Sequence, residues 1–233
     1  MSATKGIEEE SLELMTRVIE DTLPQRSEVA VLSGPSFAAE VVRGLPTALT
    51  LAGTNDQLVH SLQRTLMTPV FRVYTTNDVI GVQLGGALKN VMALAAGVVD
   101  GLGLGHNARA ALITRGLAEM IRLGVAMGAD PRTFFGLSGA GDLILTCTGA
   151  LSRNHSVGAR LGRGETLRDI LGGMHAVAEG VRTSKAALKL AERHHVDMPI
   201  VREVCAVLFE GKACGQAVRD LMERDAKEET SGL

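Results

Sequence analysis

Between Asp78 and Asp100 the chain reads DVIGVQLGGALKNVMALAAGVVD, and a single charge, that of Lys89, falls inside the run. Ile80, Leu84, Leu88, Met92 and Ala95 recur at helical spacing, which predicts a helix. Its other faces (Val82, Gly86, Val91, Val98) are as bland, and a helix apolar all round is a buried one. Gln83, Lys89 and Asn90 at mid-span, with four glycines, argue against a membrane span. Lys89 therefore sits inside a buried helix, where an ammonium must be paired, hydrogen-bonded or neutralised. Two readings follow. Burial lowers a lysine's pKa and suits it to proton transfer near neutrality; or Lys89 is half of a structural ion pair with a carboxylate such as Asp142. Gly85 and Gly86, one turn earlier, suggest close approach of a ligand or another backbone.

A chain of 233 residues with 45% apolar content can bury one large core or two smaller ones. A net charge of -2 leaves no basic face for nucleic acid. Cys147, Cys205 and Cys214 are odd in number and show no CxxC pairing, which fits free thiols in a reducing cytoplasm. The six histidines lack metal-ligand spacing, so no metal site is expected. No signal peptide is read before Glu8.

Met1 to Gly6 reads as the end of a strand and the turn after it. Ile7 to Leu23 reads as an amphipathic helix, with Leu12, Met15, Ile19 and Leu23 on one face and Glu8 to Glu10 in its first turn. Pro24 to Ser27 is a loop. Three short runs read as strands: Glu28 to Leu32, Thr47 to Ala52 and Val70 to Thr75. Between them lie helices from Phe37 to Arg43, with Ser36 as N-cap, and from Asn55 to Met67. Alternation of strands and helices predicts an α/β unit with a partly parallel sheet. After Asp78 no convincing strand returns. Helices are expected over Asn107–Met127, with an Arg115–Glu119 pair, Thr166–Leu171, Glu179–His194, Pro199–Phe209 and Gln216–Arg224. No internal repeat is present.

The turn Ser33-Gly34-Pro35-Ser36 between strand and helix would aim backbone N–H groups at an anion, or is an ordinary tight turn. Gly101-Leu-Gly103-Leu-Gly105 is followed by His106 and follows a helix, so it completes no dinucleotide fingerprint. Asp142, in GAGD, is a turn aspartate or a carboxylate beside a ligand. Arg153-Asn154 pairs a guanidinium fork with an amide, suited to phosphate, or is a solvated loop. Glu179, in VAEG, reads by default as a first-turn helix acid.

Taken together, ATKG (Ala3–Gly6), SGPSFAAE (Ser33–Glu40), GLPTAL (Gly44–Leu49), FRVY (Phe71–Tyr74), IGVQLGGALKNVMALAAG (Ile80–Gly97), DGLGLGHNARAALITRGLAEM (Asp100–Met120), GLSGAGDLILTCTG with SRN (Gly136–Gly149, Ser152–Asn154) and VAEGVRT (Val177–Thr183) resemble the bacterial-type NAD(P)-dependent glycerol-3-phosphate dehydrogenases. The resemblance implies a fold that is α/β plus all-α. Residues 1–77 would be the C-terminal remnant of a Rossmann-type dinucleotide-binding domain. Residues 78–233 would be an all-helical substrate domain of the 6-phosphogluconate-dehydrogenase-like type. Members of the family carry further residues before the ATKG turn, holding the first strands and the GxGxxG loop, so the resemblance also implies an N-terminally shortened form.

The implied reaction is hydride transfer between NAD(P)H and dihydroxyacetone phosphate, giving sn-glycerol 3-phosphate for phospholipid synthesis. Lys89 would be the catalytic proton donor. Lys5, Gly34, Ser36, Asp142, Ser152, Arg153 and Asn154 would bind substrate; Lys5, Ala38, Arg153, Val177 and Glu179 would bind cofactor. A small-molecule substrate, no nucleic acid, no transmembrane segment, a cytoplasmic setting and a homodimer complete the expectation. The alternative is a non-catalytic helical module for oligomerisation or phosphate binding, which would hold glycerol 3-phosphate weakly and consume no NADPH.

Overall fold

The computed structural model describes residues 1–23, 28–174 and 178–229; the loop expected at Pro24 to Ser27, and Val177, lie outside the described residues. The three expected strands share one sheet. β1 (Val31–Ser33), β2 (Thr47–Ala52) and β3 (Phe71–Thr76) lie in that order, β1 antiparallel to β2 and β2 parallel to β3. Ser2 extends the sheet beyond β1: its N–H donates to Ala30 O at 2.7 Å and its carbonyl accepts from Leu32 N at 2.8 Å. Met1–Gly6 is therefore a strand end and a turn, as read. Helix α1 (Met15–Thr22) follows that turn. α2 (Ala38–Val42) and α3 (Asp56–Leu66) lie between the strands. Asn55 caps α3, its side chain accepting from Leu58 N at 3.0 Å. Ala30, Leu51, Val59 and Val73 form the small core under the sheet.

Two local expectations are corrected. The helix read from Ile7 begins only at Met15. Glu8 Oε2 accepts from Glu10 N (3.0 Å), Ser11 N (2.6 Å) and Ser11 Oγ (2.7 Å), and Leu12 takes a φ of 64°. A carboxylate closing a tight turn wins over its attraction to a helix N-terminus, and Ile7, Leu12 and Leu14 reach the helical core instead. Ser36 does not cap α2. Phe37 occupies that position, and Ser36 Oγ donates to Gly34 O at 3.1 Å.

Helix α4 (Val79–Gly101) is the axis of everything after the sheet, and every residue from Gly81 to Gly97 is buried. Asp78 starts it, Oδ1 accepting from Gly81 N at 2.9 Å. Its Oδ2 accepts from Asp130 N (3.0 Å) and Thr133 Oγ1 (2.6 Å) and so ties in the later chain. Around α4 lie α5 (Gly105–Ala126), a 3₁₀ turn (Pro131–Phe135), a π-helical turn (Leu137–Gly141), α6 (Asp142–Thr148), α7 (Arg153–Gly162), α8 (Leu167–Gly172), α9 (Glu179–Arg193), α10 (Pro199–Phe209) and α11 (Cys214–Met222). Among the described residues no strand follows Thr76. The closest crossing is α4 on α7. Gly97 and Gly101 face Gly158 and Gly162, and a Cβ on any of them would overlap the other helix's backbone. Only glycine allows that separation.

The Arg115–Glu119 pair expected on α5 does not form. Glu119 turns inward and accepts from Ile200 N (2.7 Å) and Val201 N (3.3 Å), capping α10 where Pro199 has no N–H to offer. Arg115 Nη1 donates to the Glu229 carbonyl at 2.8 Å. Burial pushes the Glu119 carboxyl up to about 7, against the two backbone hydrogen bonds that favour its charge.

Two measurements check this packing. Gly158→Ala forces a methyl into the Leu94 carbonyl and should cost about 3 kcal/mol in urea unfolding. Glu119 holds its proton to a higher pH in the folded chain than in the unfolded one. Its contribution is complete below the ordinary carboxyl pKa of 4.5 and is lost as pH rises through about 7. Glu119→Gln should remove that slope, worth on the order of a few kcal/mol between about pH 5 and about pH 8.

Candidate active site

Lys89 projects from the middle of α4, where it is 7% exposed, toward the first turn of α6. Its Nζ donates to Asp142 Oδ1 at 2.5 Å and to Thr146 Oγ1 at 2.9 Å. The π-helical turn before α6 brings Asp142 to this point, 53 residues after Lys89. Asp142 is 1% exposed, and its second oxygen, Oδ2, accepts from Lys5 Nζ at 2.6 Å. Lys5 Nζ also donates to Gly34 O at 3.5 Å. One buried carboxylate thus serves two ammonium groups, with Thr146 Oγ1 closing the set by donating to Asp142 O at 2.6 Å.

Both readings of Lys89 describe it: it is half of an ion pair, and its acidity is raised. Burial, then the nearby Lys5 ammonium, lowers its pKa from 10.5 to about 8, while the Asp142 charge and hydrogen bond pull the other way. Desolvation and a like charge outweigh one shared carboxylate. The glycines before Lys89 make room for protein rather than for an open ligand face. Gly85 packs on the Ser138 carbonyl, and Gly86 packs on Ser33 Oγ and the stem of Lys5.

A second chain of contacts, built on side-chain amides, begins one residue on. Asn90 Nδ2 donates to Glu179 Oε2 at 3.2 Å, and Asn90 Oδ1 accepts from Asn154 Nδ2 at 3.0 Å. Asn154 Oδ1 accepts from Gly180 N at 3.0 Å. The stretch Ser152–Asn154 is the start of a helix rather than a solvated loop. Ser152 caps α7, accepting from His155 N at 3.2 Å, Asn154 is buried, and Arg153 is left exposed as the first helical residue. His155 Nε2 and Arg109 Nη1 both meet Asp100 Oδ2 at 2.8 Å, which fixes this end of α7 to α4 and α5.

The structure therefore brings together Lys5, Gly34, Lys89 and Asp142, and beside them Asn154 and Glu179. Ser36 joins through the Gly34 carbonyl, and Ala38 is exposed at the start of α2. Thr146 and Asn90 were missed. Thr146 lies four residues after Asp142 on one helix face, a spacing that marks it as a neighbour. Asn90 is a second polar residue in a buried helix. A cavity of about 820 Å³ opens next to this cluster, lined in part by Lys5, Gly6, Glu179, Arg182, Thr183 and Lys189.

Two family models cover most of the chain. The NAD-dependent glycerol-3-phosphate dehydrogenase N-terminus matches residues 1–59 and the C-terminus of the same family matches residues 78–219.

The chain belongs to the NAD-dependent glycerol-3-phosphate dehydrogenase family.

It is 57% identical to the glycerol-3-phosphate dehydrogenase [NAD(P)+] of Geobacter metallireducens over 231 residues, 98% of this chain and 69% of that protein. The Syntrophotalea carbinolica enzyme of the same name is 56% identical over the same shares. The crystal structure of glycerol-3-phosphate dehydrogenase from Coxiella burnetii superposes with a TM-score of 0.92 at 43% identity, covering 95% of this chain and 68% of that one. The glycerol-3-phosphate dehydrogenase from yeast gives 0.83 at 29%, covering 96% and 67%.

Within this dehydrogenase scaffold the cofactor side can be judged on the chain's own residues. The cavity of about 820 Å³ carries the cations Lys5, Arg182, Lys185 and Lys189 and the carboxylates Glu8, Glu9, Glu10 and Glu179. A polar cavity of that size has room for a dinucleotide, and its cations are the groups that would meet the phosphates.

Changing either neighbour of Lys89 should move its titration in opposite senses. Lys5→Met removes a like charge and should raise the Lys89 pKa above about 8; Asp142→Asn removes the attraction and should lower it. Nitrogen NMR of labelled lysine across a pH series reads both.

Proposed function

We propose that this chain reduces dihydroxyacetone phosphate to sn-glycerol 3-phosphate with NAD(P)H, and the reverse. The observation that carries the reading is the Lys5–Asp142–Lys89 cluster. A buried lysine whose pKa is lowered to about 8, on the scaffold of this family, supports the role of proton donor. When bound, the nicotinamide cofactor supplies the hydride. Lys5, Ala38, Arg153, Val177 and Glu179 are the residues proposed to hold it.

The chain's own part is proton management and orientation. Lys89 Nζ, mostly charged near pH 7, gives its proton to the carbonyl oxygen as that oxygen becomes an alkoxide. In the reverse direction the neutral amine takes the proton back. Asp142 and Thr146 fix the Nζ position, so little is lost to reorientation at the moment of transfer. Lys5 adds positive charge beside the developing oxyanion. Arg153, exposed at the first turn of α7, and Asn154 are proposed for the substrate phosphate. Gly34, Ser36 and Ser152 complete the proposed substrate contacts.

The cysteines Cys147, Cys205 and Cys214 are free, in keeping with a reducing, cytoplasmic setting. α4 is long and apolar enough to cross a membrane, yet 89% of its most apolar window is buried in the protein. A homodimer remains part of the proposal, open to sedimentation analysis.

Absorbance of NADPH with dihydroxyacetone phosphate tests the reading. Turnover is expected to fall on the alkaline side of about pH 8, as Lys89 loses its proton. Lys89→Ala should lower it roughly a hundred- to ten-thousand-fold, the range of a positioned acid, while cofactor affinity stays close to that of the unmodified chain. No NADPH consumption by a folded chain at saturating cofactor would instead support the non-catalytic module.

A further inference from the structure

A second cavity, of about 660 Å³, lies between α5, the start of α10, α11 and the segment after it. It reaches α4 at Val99, ten residues and about 15 Å along the helix from Lys89. Its walls are apolar: Leu104, Leu112, Ile200, Val218, Leu221 and Met222. Its polar groups are of one dominant sign. Arg115, Arg122, Arg224 and Lys227 line it, against Asp225 and Glu119. Glu119 faces the backbone N–H groups of α10, and burial holds it partly neutral, so the cations set the charge. Arg115 and Arg122 donate to backbone carbonyls rather than to carboxylates, and Glu119 is the acid whose charge acts on Arg122. Arg122 Nη1 is buried with no hydrogen-bond partner among the described residues. Arg224 is the exception, paired with Asp197 at 2.7 Å.

A cavity of this volume is the size of a small-molecule site rather than of a protein interface. Apolar walls with more cations than acids on the lining call for one kind of occupant: a hydrocarbon chain ending in an anion. We propose that this cavity binds a single-chain fatty acyl carboxylate, with its chain along Leu112, Val218 and Leu221 and its head among Arg115, Arg122 and Lys227. The proposal is independent of the dehydrogenase reaction, because none of these residues belongs to the Lys89 cluster.

Displacement of a dansyl-labelled fatty acid by dodecanoate, kept below its micelle concentration, tests it on the full chain. Saturable displacement at one site per chain is expected. Ala111→Trp, at an exposed position lining the groove, should block the apolar wall, and Lys227→Glu should reverse one head charge. Each should weaken dodecanoate at least about tenfold, or roughly 1.4 kcal/mol. Dodecanol should bind at least about tenfold more weakly than dodecanoate. Circular dichroism matching that of the unmodified chain certifies the variants as folded. Absence of saturable displacement, or equal binding by both variants, overturns the proposal; equal binding of dodecanol overturns the anionic head. A dimer in sedimentation that Ala111→Trp converts to monomer would overturn it too, and assign the groove to a second copy of the chain.

Discussion

A helix with no polar face has to be walled on every side, and α4 meets that demand by drawing the rest of the chain around it. Seventeen consecutive residues, Gly81 to Gly97, are buried. The walls come from β1, the π-helical turn, α5, α6, α7, α9 and α10, from both ends of the sequence. The closest wall, α7, needs four glycines, two on each helix, so that the backbones themselves touch. That closeness has a chemical consequence: it brings the buried amide of Asn154 within 3.0 Å of Asn90. It also leaves Arg153 at the rim of the same crossing. Packing density and ligand geometry are one problem here, solved by the same small residues.

Burying Lys89 in that helix would be prohibitive without a counter-charge, and Asp142 supplies it. Yet Asp142 also serves Lys5, so the cluster keeps a net positive charge in a site almost closed to water. In such a medium charges act on each other far more strongly than at the surface. The outcome is an ammonium that remains charged near neutrality and gives up its proton readily. A lone Lys89–Asp142 pair would hold the proton more tightly, and a Lys89 with no carboxylate would not keep it. Sharing one acid between two bases lands between those extremes, which is the condition a general acid working near pH 7 needs.

Much of this was legible from residues alone. The buried helix, its single lysine, the three strands and the change to all-helical structure after Asp78 follow from apolar spacing and from where charges are missing. Asp142 could be named as a partner for Lys89, because a buried cation demands an acid and GAGD offered one near a flexible turn. The errors have a common origin. Glu8, Ser36 and Glu119 were each assigned to the nearest partner in sequence: a helix dipole, an N-cap and an i,i+4 pair with Arg115. In the fold Glu8 closes a turn, Ser36 serves the Gly34 carbonyl, and Glu119 caps a helix 81 residues away. Short polar side chains have several local options of similar energy, and tertiary packing decides among them. Thr146 and Asn90 were missed for the converse reason: their roles exist only once α6 and α7 are seated on α4.

The two buried acids, Asp142 and Glu119, show how far environment rather than residue type sets behaviour. Both are almost fully enclosed, at 1% and 2% exposure. Asp142 meets two ammonium groups, one on each carboxylate oxygen, partners that compensate a negative charge. Glu119 meets two backbone N–H groups, and burial outweighs them, so its carboxyl titrates near neutrality. The first acid therefore serves as a fixed anion that organises cations around a reacting centre. The second is a capping group whose charge is conditional on pH, at the junction of α5 and α10. The same junction forms the floor of the second cavity. A neutral Glu119 leaves more of the cavity's positive charge unopposed, and an ionised one offsets part of it, so affinity for an anion there is expected to weaken as pH rises through about 7. Arg115, Arg122, Arg224, Lys227, Asp225 and, through Arg224, Asp197 are the other charged groups facing the cavity, and Glu119 is the one whose pKa is raised to about 7. Titration of dodecanoate binding on either side of neutrality, repeated in Glu119→Gln, separates the two: the unmodified chain should lose affinity with rising pH and the variant should not.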